Sequence, residues 1–159
     1  MADSVVGDAL EREHREIDAG LAEFRRLLGQ GESRSEPLQD ACRALRRHIF
    51  IEEEVLFPPL RAAGLFGPVT VMLMEHAEIW RILDELEPLV TSVGDHLVIE
   101  LALASLSRVL HEHNMKEEQI LYPQADQIPG VDVKREVLQL LEGGEMPTGW
   151  VCQRLAGGQ

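Results

Sequence analysis

Apolar residues recur along the chain at intervals of three and four, which is the spacing of one face of an α-helix. The pattern predicts four amphipathic helices of about 25 to 30 residues, separated by glycine-containing turns. The predicted helices run from Asp3 or Ser4 to Gly29–Gly31, from about Ser35 to Ala63 before Gly64, from Pro68 to near Gly94, and from Asp95 as the N-cap to a break at Ile128–Gly130. The apolar residues are mostly Leu and Ala, which favour helix over strand, so the sequence predicts an all-helical fold.

Each predicted helix has one apolar stripe, and each stripe contains a histidine. The stripes are Leu10, His14, Ile17, Leu21, Phe24 and Leu28; Leu38, Ala41, Leu45, His48, Glu52 and Val55; Val69, Met72, His76, Ile79, Leu83, Leu86 and Val90; and Ile99, Leu103, Leu106, Leu110, His113, Glu117 and Ile120. On the second and fourth stripes a glutamate follows the histidine by about one helical turn. Polar side chains are therefore expected to face the core.

Short turns between consecutive helices favour an up-down-up-down four-helix bundle made of two repeated helical hairpins. Residues 1–126 are expected to form this bundle. Residues 127–159 are expected to form a short C-terminal helix, over residues 131–141, and a tail that packs on the bundle. Trp150, Val151 and Leu155 are the residues expected to dock the tail.

The charge and the cysteine content narrow the functional classes. The 159-residue chain has 28 acidic and 15 basic residues and a net charge of −13, which disfavours binding to nucleic acid or to an anionic membrane surface. The longest uncharged run is residues 62–74, shorter than the roughly 20 residues of a membrane-spanning helix. No secretory signal is recognised and two cysteines make no disulfide framework, so the cytoplasm is the expected location.

An internal repeat carries the candidate chemistry. The segment HIFIEEEVLFP at residues 48–58 aligns with HNMKEEQILYP at residues 113–123, and EHREI around His14 aligns with EHAEI around His76. Each hairpin therefore supplies one histidine from its first helix and a His-x-x-x-Glu pair from its second. A single such pair is commonly a solvated surface pair, but here the pattern occurs twice and on buried stripes.

Residues four apart on a helix can contact one metal ion, because their side chains project from the same face. The predicted metal ligands are His14, His48, Glu52, His76, His113 and Glu117. Four imidazoles and two carboxylates, in two equal sets that the glutamates can bridge, suit two iron ions better than one structural zinc. Zinc and manganese remain alternatives at this point.

The other polar residues near these motifs receive different assignments. His96 is expected to be too far along its helix to join the site, and His111 to face solvent. Glu53, Glu54 and Glu118 are expected to form a solvated acidic face, with Glu53 and Glu118 as reserve ligands if the helices are distorted.

Two aromatic–proline pairs follow the glutamates. Pro58 and Pro123 are expected to kink or end their helices, and Phe57 and Tyr122 to cap the core. A packing role is favoured for Tyr122 over donation of a hydrogen bond to a bound oxygen species.

On these motifs the chain resembles hemerythrin-like proteins, the HHE cation-binding domain family, over residues 8–126. The resemblance implies a non-haem centre of two iron ions (Fe2+/Fe3+) with a bridging oxo or hydroxo group, which reacts with dioxygen, nitric oxide or peroxide. The implied ligands are the six residues named above, with Glu52 and Glu117 as bridges. Oxygen-carrying members have a fifth histidine, whereas the positions one turn from His76 hold Met72 and Trp80. The four-His, two-Glu set is similar to that of bacterial iron-centre repair proteins, whose cysteine-containing N-terminal domain is not found here.

Three functional hypotheses follow. The first is a cytoplasmic di-iron protein that binds, senses or reacts with dioxygen, nitric oxide or peroxide, and as an enzyme it would be a di-iron oxidoreductase. The second is iron storage, donation or repair at a labile centre. The third is a structural bundle with a satisfied polar core. No Ser-His-acid arrangement, phosphate-binding loop or dinucleotide fingerprint is found, so no hydrolase, kinase or dehydrogenase function is predicted.

Overall fold

A computed structural model of the chain describes residues 4–91 and 95–157. These residues form helices and turns, with no strand among them, which confirms the all-helical prediction. The helices are α1 (Val5–Gly29), α2 (Glu36–Ile51), α3 (Phe57–Ala62), α4 (Phe66–Thr91), α5 (His96–Lys116), α6 (Tyr122–Ala125), α7 (Val131–Gly143) and α8 (Gln153–Ala156). One π-helical turn, Glu52–Leu56, joins α2 to α3, and a second, Glu117–Leu121, joins α5 to α6.

The helix ends agree closely with the sequence signals. Helix α1 begins directly after Ser4, and the alternative start at Asp3 lies outside the described residues. Asp95 is the N-cap of α5, as predicted, and its side chain accepts a hydrogen bond from Leu97 N at 2.9 Å. Helix α4 begins two residues before Pro68, and its predicted end near Gly94 also lies outside the described residues.

The long helices form a ring of neighbours around two apolar clusters. Helix α1 contacts α2 and α5, and α4 contacts the same two helices. One cluster contains Ile17 of α1 and Ala77 of α4, and the other contains Leu10 of α1 and Met72 of α4. The helix positions between them carry the inward-facing histidines, so a polar layer lies between two apolar ones. None of the helices in the described ranges combines the length and apolar character needed to cross a bilayer.

The two π turns were not predicted, and each ends two residues before a proline. In the first, Phe57 N donates to Glu52 O, and in the second, Tyr122 N donates to Glu117 O, five residues back instead of four. A proline has no N–H, and its ring would clash with the carbonyl four residues earlier in an α-helix, so the wider turn accommodates Pro58 and Pro123. The helical run continues past both prolines rather than ending at them.

The extra residue in each π turn rotates the side chains that follow it. Ile120, predicted to lie on the apolar stripe, is 47% exposed, and Leu121 is buried in its place. The prediction for Ile120 is wrong, whereas Val55, at the matching position of the first π turn, is buried as predicted, because α7 packs on the first π turn.

The C-terminal segment contacts the bundle through both of its helices. Helix α7 lies against α1 and α2, and α8 lies against α4. Trp150 packs edge-on against Trp80 and Phe50, with ring centroids 5.6 Å and 5.3 Å apart, and Leu155 also packs on the core. Val151 was expected to dock but is exposed, whereas its neighbour Cys152 is fully buried.

Candidate metal centre

The six predicted ligands lie together in the polar layer, and each is at most 4% exposed. They form two overlapping groups, in each of which one donor atom per residue lies within 4.8 Å of the others. Centre A consists of His14, His48, Glu52 and Glu117, and centre B of His76, His113, Glu52 and Glu117. The structure thus brings together every residue of the predicted set.

Each glutamate directs one oxygen toward each centre. Glu52 Oε1 lies 3.1 Å from His48 Nε2 in centre A, and Glu52 Oε2 lies 3.2 Å from His76 Nε2 in centre B. Glu117 Oε2 lies 3.2 Å from His14 Nε2, and Glu117 Oε1 lies 2.9 Å from His113 Nε2. Both carboxylates therefore connect the two centres.

Three further glutamates contact the outer nitrogens of the histidines. The Nδ1 atoms of His48, His76 and His113 lie 3.1, 2.9 and 2.8 Å from Glu13 Oε1, Glu53 Oε1 and Glu75 Oε2, respectively. A carboxylate at Nδ1 fixes the proton there, so the Nε2 lone pair is directed into the centre. This arrangement is typical of metal-ligating histidines.

Two of these outer glutamates follow the internal repeat and were missed from the sequence. Glu13 comes directly before His14 but contacts His48, and Glu75 comes directly before His76 but contacts His113. The repeated Glu-His dipeptide in EHREI and EHAEI was the available signal. It was overlooked because each glutamate serves the histidine of the neighbouring helix.

The acidic face predicted after the ligand glutamates is only partly solvated. Glu53 is 1% exposed, and it accepts a second hydrogen bond, from Gln153 N, at 2.8 Å. Its expected place on a solvated face is therefore wrong. Glu54 is exposed and accepts a hydrogen bond from Trp150 Nε1. Glu118 Oε1 lies 3.9 Å from His14 Nδ1, too far for a hydrogen bond, so within residues 4–91 and 95–157 His14 has no counterpart of the carboxylates described above.

Tyr122 lies inside centre A, which a packing role alone does not explain. Its Oη atom donates to Glu52 Oε1 at 2.6 Å and lies 3.1 Å from Glu117 Oε2. The same atom lies 3.0 Å from Nε2 of both His14 and His48. The phenol oxygen therefore contacts all four residues of the centre.

Charge coupling in the polar layer is strong. Burial acts to lower the pKa of His48, but Glu52 and Glu13 outweigh it and raise that pKa to about 10. Burial acts to raise the pKa of Glu117, but His113, His14 and His76 hold it well below the usual range. Burial and both carboxylates raise the pKa of Tyr122. The layer thus favours bound positive charge, either as protons or as metal ions.

Several buried side-chain nitrogen and oxygen atoms have no hydrogen-bond partner among the described residues. Three of them belong to centre B: Glu52 Oε2, His76 Nε2 and Glu117 Oε1. They approach one another to 3.2 and 3.6 Å without hydrogen-bond geometry. Buried polar atoms without partners carry a free-energy cost, and a shared cation would satisfy all three, so the donor set fits a metal.

The remaining sequence assignments concern residues around the centres. His96 and His111 are exposed, as expected. Met72 and Trp80, which replace the additional histidine of oxygen carriers, are both buried. The Trp80 ring is covered by the guanidinium of Arg46, with its carbon 4.5 Å from the ring centroid.

Comparison with known proteins gives a family assignment. The sequence model of the hemerythrin HHE cation binding domain matches residues 5–125, a range that contains all six candidate ligands and ends before α7. This match confirms the resemblance indicated by the repeated motifs. No curated protein and no solved structure matches the chain.

Proposed function

Because the chain belongs to the hemerythrin HHE cation-binding domain family, we propose that it is a di-iron protein at which dioxygen, nitric oxide or peroxide binds or reacts. The proposed iron ligands are His14, His48 and the two shared carboxylates in centre A, and His76, His113 and the same carboxylates in centre B. Iron held there supplies the redox chemistry, because it changes between Fe2+ and Fe3+ as it binds or reduces such molecules.

One observation carries this proposal: each of the two shared carboxylates directs one oxygen toward each centre. An ion pair between one glutamate and one histidine would leave the second carboxylate oxygen free. Here Glu52 and Glu117 each place their two oxygens within 3.2 Å of histidines from different centres. This arrangement supports two bridged ions rather than one structural zinc, which is usually held by four Cys or His ligands.

The chain's own residues orient the donor atoms and exclude water. Glu13, Glu53 and Glu75 hold the outer imidazole nitrogens, which limits ring rotation and keeps Nε2 directed inward. The apolar clusters on both sides of the polar layer keep it dry, and a low dielectric strengthens the binding of cations by the two buried carboxylates. A small molecule is therefore expected to meet the ions in an apolar environment.

The proposal includes an up-down-up-down order of the four long segments. Contacts that advance along one segment while they go back along the next support it. Between α1 and α2, Glu13 pairs with Arg47 at 2.8 Å and Gly20 lies beside Ala41. Between the second segment and α4, Arg46 pairs with Asp84 at 2.9 Å and Glu53 contacts His76. Antiparallel packing of two hairpins directs one histidine from each segment into the same layer.

Iron analysis combined with rapid mixing tests this function. The expected result is iron that survives gel filtration, and an optical spectrum that changes within the mixing experiment on addition of peroxide, nitric oxide or dioxygen to the reduced protein. Tight iron whose spectrum responds to none of the three would contradict the small-molecule function. Iron that is lost rapidly to a weak chelator would instead favour storage or donation.

A further inference from the structure

We propose that Tyr122 is a seventh protein ligand, which binds the metal ion of centre A through its phenol oxygen, and that the small molecule therefore binds at centre B. The inference rests on the di-iron function proposed above and goes beyond it, because it gives the two ions different roles. It is carried by distances between donor atoms and by a difference between the two halves of the repeat.

The donor atoms of centre A have the spacing of neighbouring corners of an octahedron. With metal–ligand bonds of about 2.1 Å, neighbouring corners are about 3.0 Å apart. Nε2 of His14 lies 3.1 Å from Nε2 of His48, and these atoms lie 3.2 and 3.1 Å from Glu117 Oε2 and Glu52 Oε1, respectively. These distances match three of the four edges of an octahedron's central square, and the fourth pair, Glu52 and Glu117, lies within 4.8 Å.

Tyr122 Oη has the position of the corner above that square. Every corner of an octahedron has four neighbours, and Oη lies between 2.6 and 3.1 Å from all four donor atoms of centre A. A phenol has one proton, so it cannot donate to four lone pairs at once. A cation bound by all five atoms satisfies every one of them, and the phenolic proton leaves to solvent when the oxygen binds the ion.

Centre B lacks this oxygen because the repeat places a phenylalanine there. Phe57 aligns with Tyr122 in the two copies of the motif. Its ring stacks on His76 with centroids 5.7 Å apart and an interplanar angle of 9°, and the Tyr122 ring lies 5.4 Å from His14. The two aromatic rings thus have matching positions, but only Tyr122 carries a hydroxyl.

The two centres also differ in how many of their inward-facing nitrogen and oxygen atoms have hydrogen-bond partners. In centre A each inward donor atom contacts Tyr122 Oη, whereas in centre B three inward donor atoms have no hydrogen-bond partner among the described residues. Centre A therefore has five protein donors and centre B has four. The coordination position left for an added molecule is at centre B, beside the Phe57 ring.

Resonance Raman spectroscopy of the ferric protein, together with its iron content, tests this assignment. Tyr122 is the only tyrosine in the sequence, so phenolate-to-Fe3+ vibrations can come from no other residue of the chain. The expected result is phenolate vibrations in the wild-type protein and their loss in Tyr122→Phe with iron retained. Two bound irons without phenolate vibrations would overturn the Tyr122 assignment and leave the di-iron function standing. A chain without iron would overturn both.

A second variant tests the open position at centre B and does not depend on the folding of Tyr122→Phe. Phe57→Tyr adds a hydroxyl at the matching position of the other repeat. The expected result is stronger phenolate vibrations and weaker binding of azide, used as the probe, because the new oxygen occupies the open position. Unchanged azide affinity together with a new phenolate signal would contradict the assignment of small-molecule binding to centre B.

Discussion

At the scale of single residues, the histidines differ in what holds their outer nitrogens. Glu13, Glu53 and Glu75 contact three of the four, whereas the carboxylate of Glu118 lies 3.9 Å from His14 Nδ1. Rotation of an imidazole would move its Nε2 atom away from a bound ion, so these carboxylates are placed to position the candidate metal ligands.

Replacement of Glu13 tests this positioning. Glu13→Ala removes the acceptor at His48 Nδ1 and the partner of Arg47. We expect affinity for iron to fall by about 10- to 100-fold, the usual effect of losing such a carboxylate. Glu16→Ala, an exposed position on the same helix, is the matched control. Competition with a chelator measures both, and equal affinities in the two variants would contradict the positioning role.

Replacement of a ligand histidine should remove metal and destabilise the fold together. His113→Ala leaves Glu117 buried without its closest imidazole. We expect loss of iron and a decrease of about 3 kcal/mol or more in the unfolding free energy, because removing one partner of a buried ion pair is costly. His111→Ala, exposed on the same helix, should leave iron content and melting temperature unchanged. Full iron retention in His113→Ala would remove that residue from the ligand set.

The clustering of the six candidate ligands could be predicted from the sequence, but the contacts around them could not. Histidine and glutamate four apart on a buried stripe give a local signal that repeats twice. The contact of Tyr122 with centre A depends on the π turn before it, and the contact of Glu53 with Gln153 joins residues 100 positions apart. The spacing of apolar residues reveals neither a local distortion of a helix nor a contact between residues that are far apart in the sequence.

At the scale of helices, the two predicted N-cap residues differ in the contacts that they make. The Asp95 side chain accepts a hydrogen bond from Leu97 N, whereas Ser4, at the start of α1, makes no such side-chain bond. The preference for Ser or Asp at the N-cap therefore predicted both helix starts, although only Asp95 makes a stabilising side-chain hydrogen bond.

The two caps can be compared directly by substitution. We expect Asp95→Ala to lower the unfolding free energy by about 1 kcal/mol, the usual cost of losing an N-cap bond. Ser4→Ala should change it by less than about 0.5 kcal/mol, as surface substitutions without such a bond do. Chemical denaturation of both variants measures the difference. Equal destabilisation would mean that the Asp95 bond contributes nothing.

At the scale of the whole molecule, the C-terminal tail is connected to the metal centre. Gln153 N donates to Glu53, and Glu53 in turn contacts His76 of centre B. The family match ends at residue 125, so this connection lies outside the matched domain. Glu118, which aligns with Glu53 in the repeat, is 31% exposed, and the tail contact accounts for the deeper burial of Glu53.

A proline at position 153 tests this connection without deleting the tail. Gln153 is the first residue of α8, and Cys152 before it has ψ of 147°, a conformation compatible with a following proline. Gln153→Pro removes the backbone donor and the side-chain amide, and its ring carbon Cδ takes the place of the amide hydrogen, so the Glu53 carboxylate also has to move away from position 153. We expect the unfolding free energy to fall by about 1.5 to 3 kcal/mol, because the lost hydrogen bond is made to a charged group.

Gln153→Ala is the matched control, because it keeps the backbone N–H and loses only the side-chain bond to Glu53 O. A smaller loss, about 0.5 to 1.5 kcal/mol, is expected for it. Denaturation midpoints and iron affinity should both rank the wild type above Gln153→Ala and Gln153→Ala above Gln153→Pro. If the proline variant matched the alanine variant, the backbone bond to Glu53 would have no role.

Anomalous diffraction at the iron absorption edge, from crystals of the iron-loaded protein, tests whether Glu52 and Glu117 bridge two metal ions. Two anomalous peaks per chain are expected. One should lie beside His14 and His48 and the other beside His76 and His113, with both carboxylates between them. A single peak, or a well-ordered site in which either glutamate is turned away from the metal, would contradict a bridged centre of two ions.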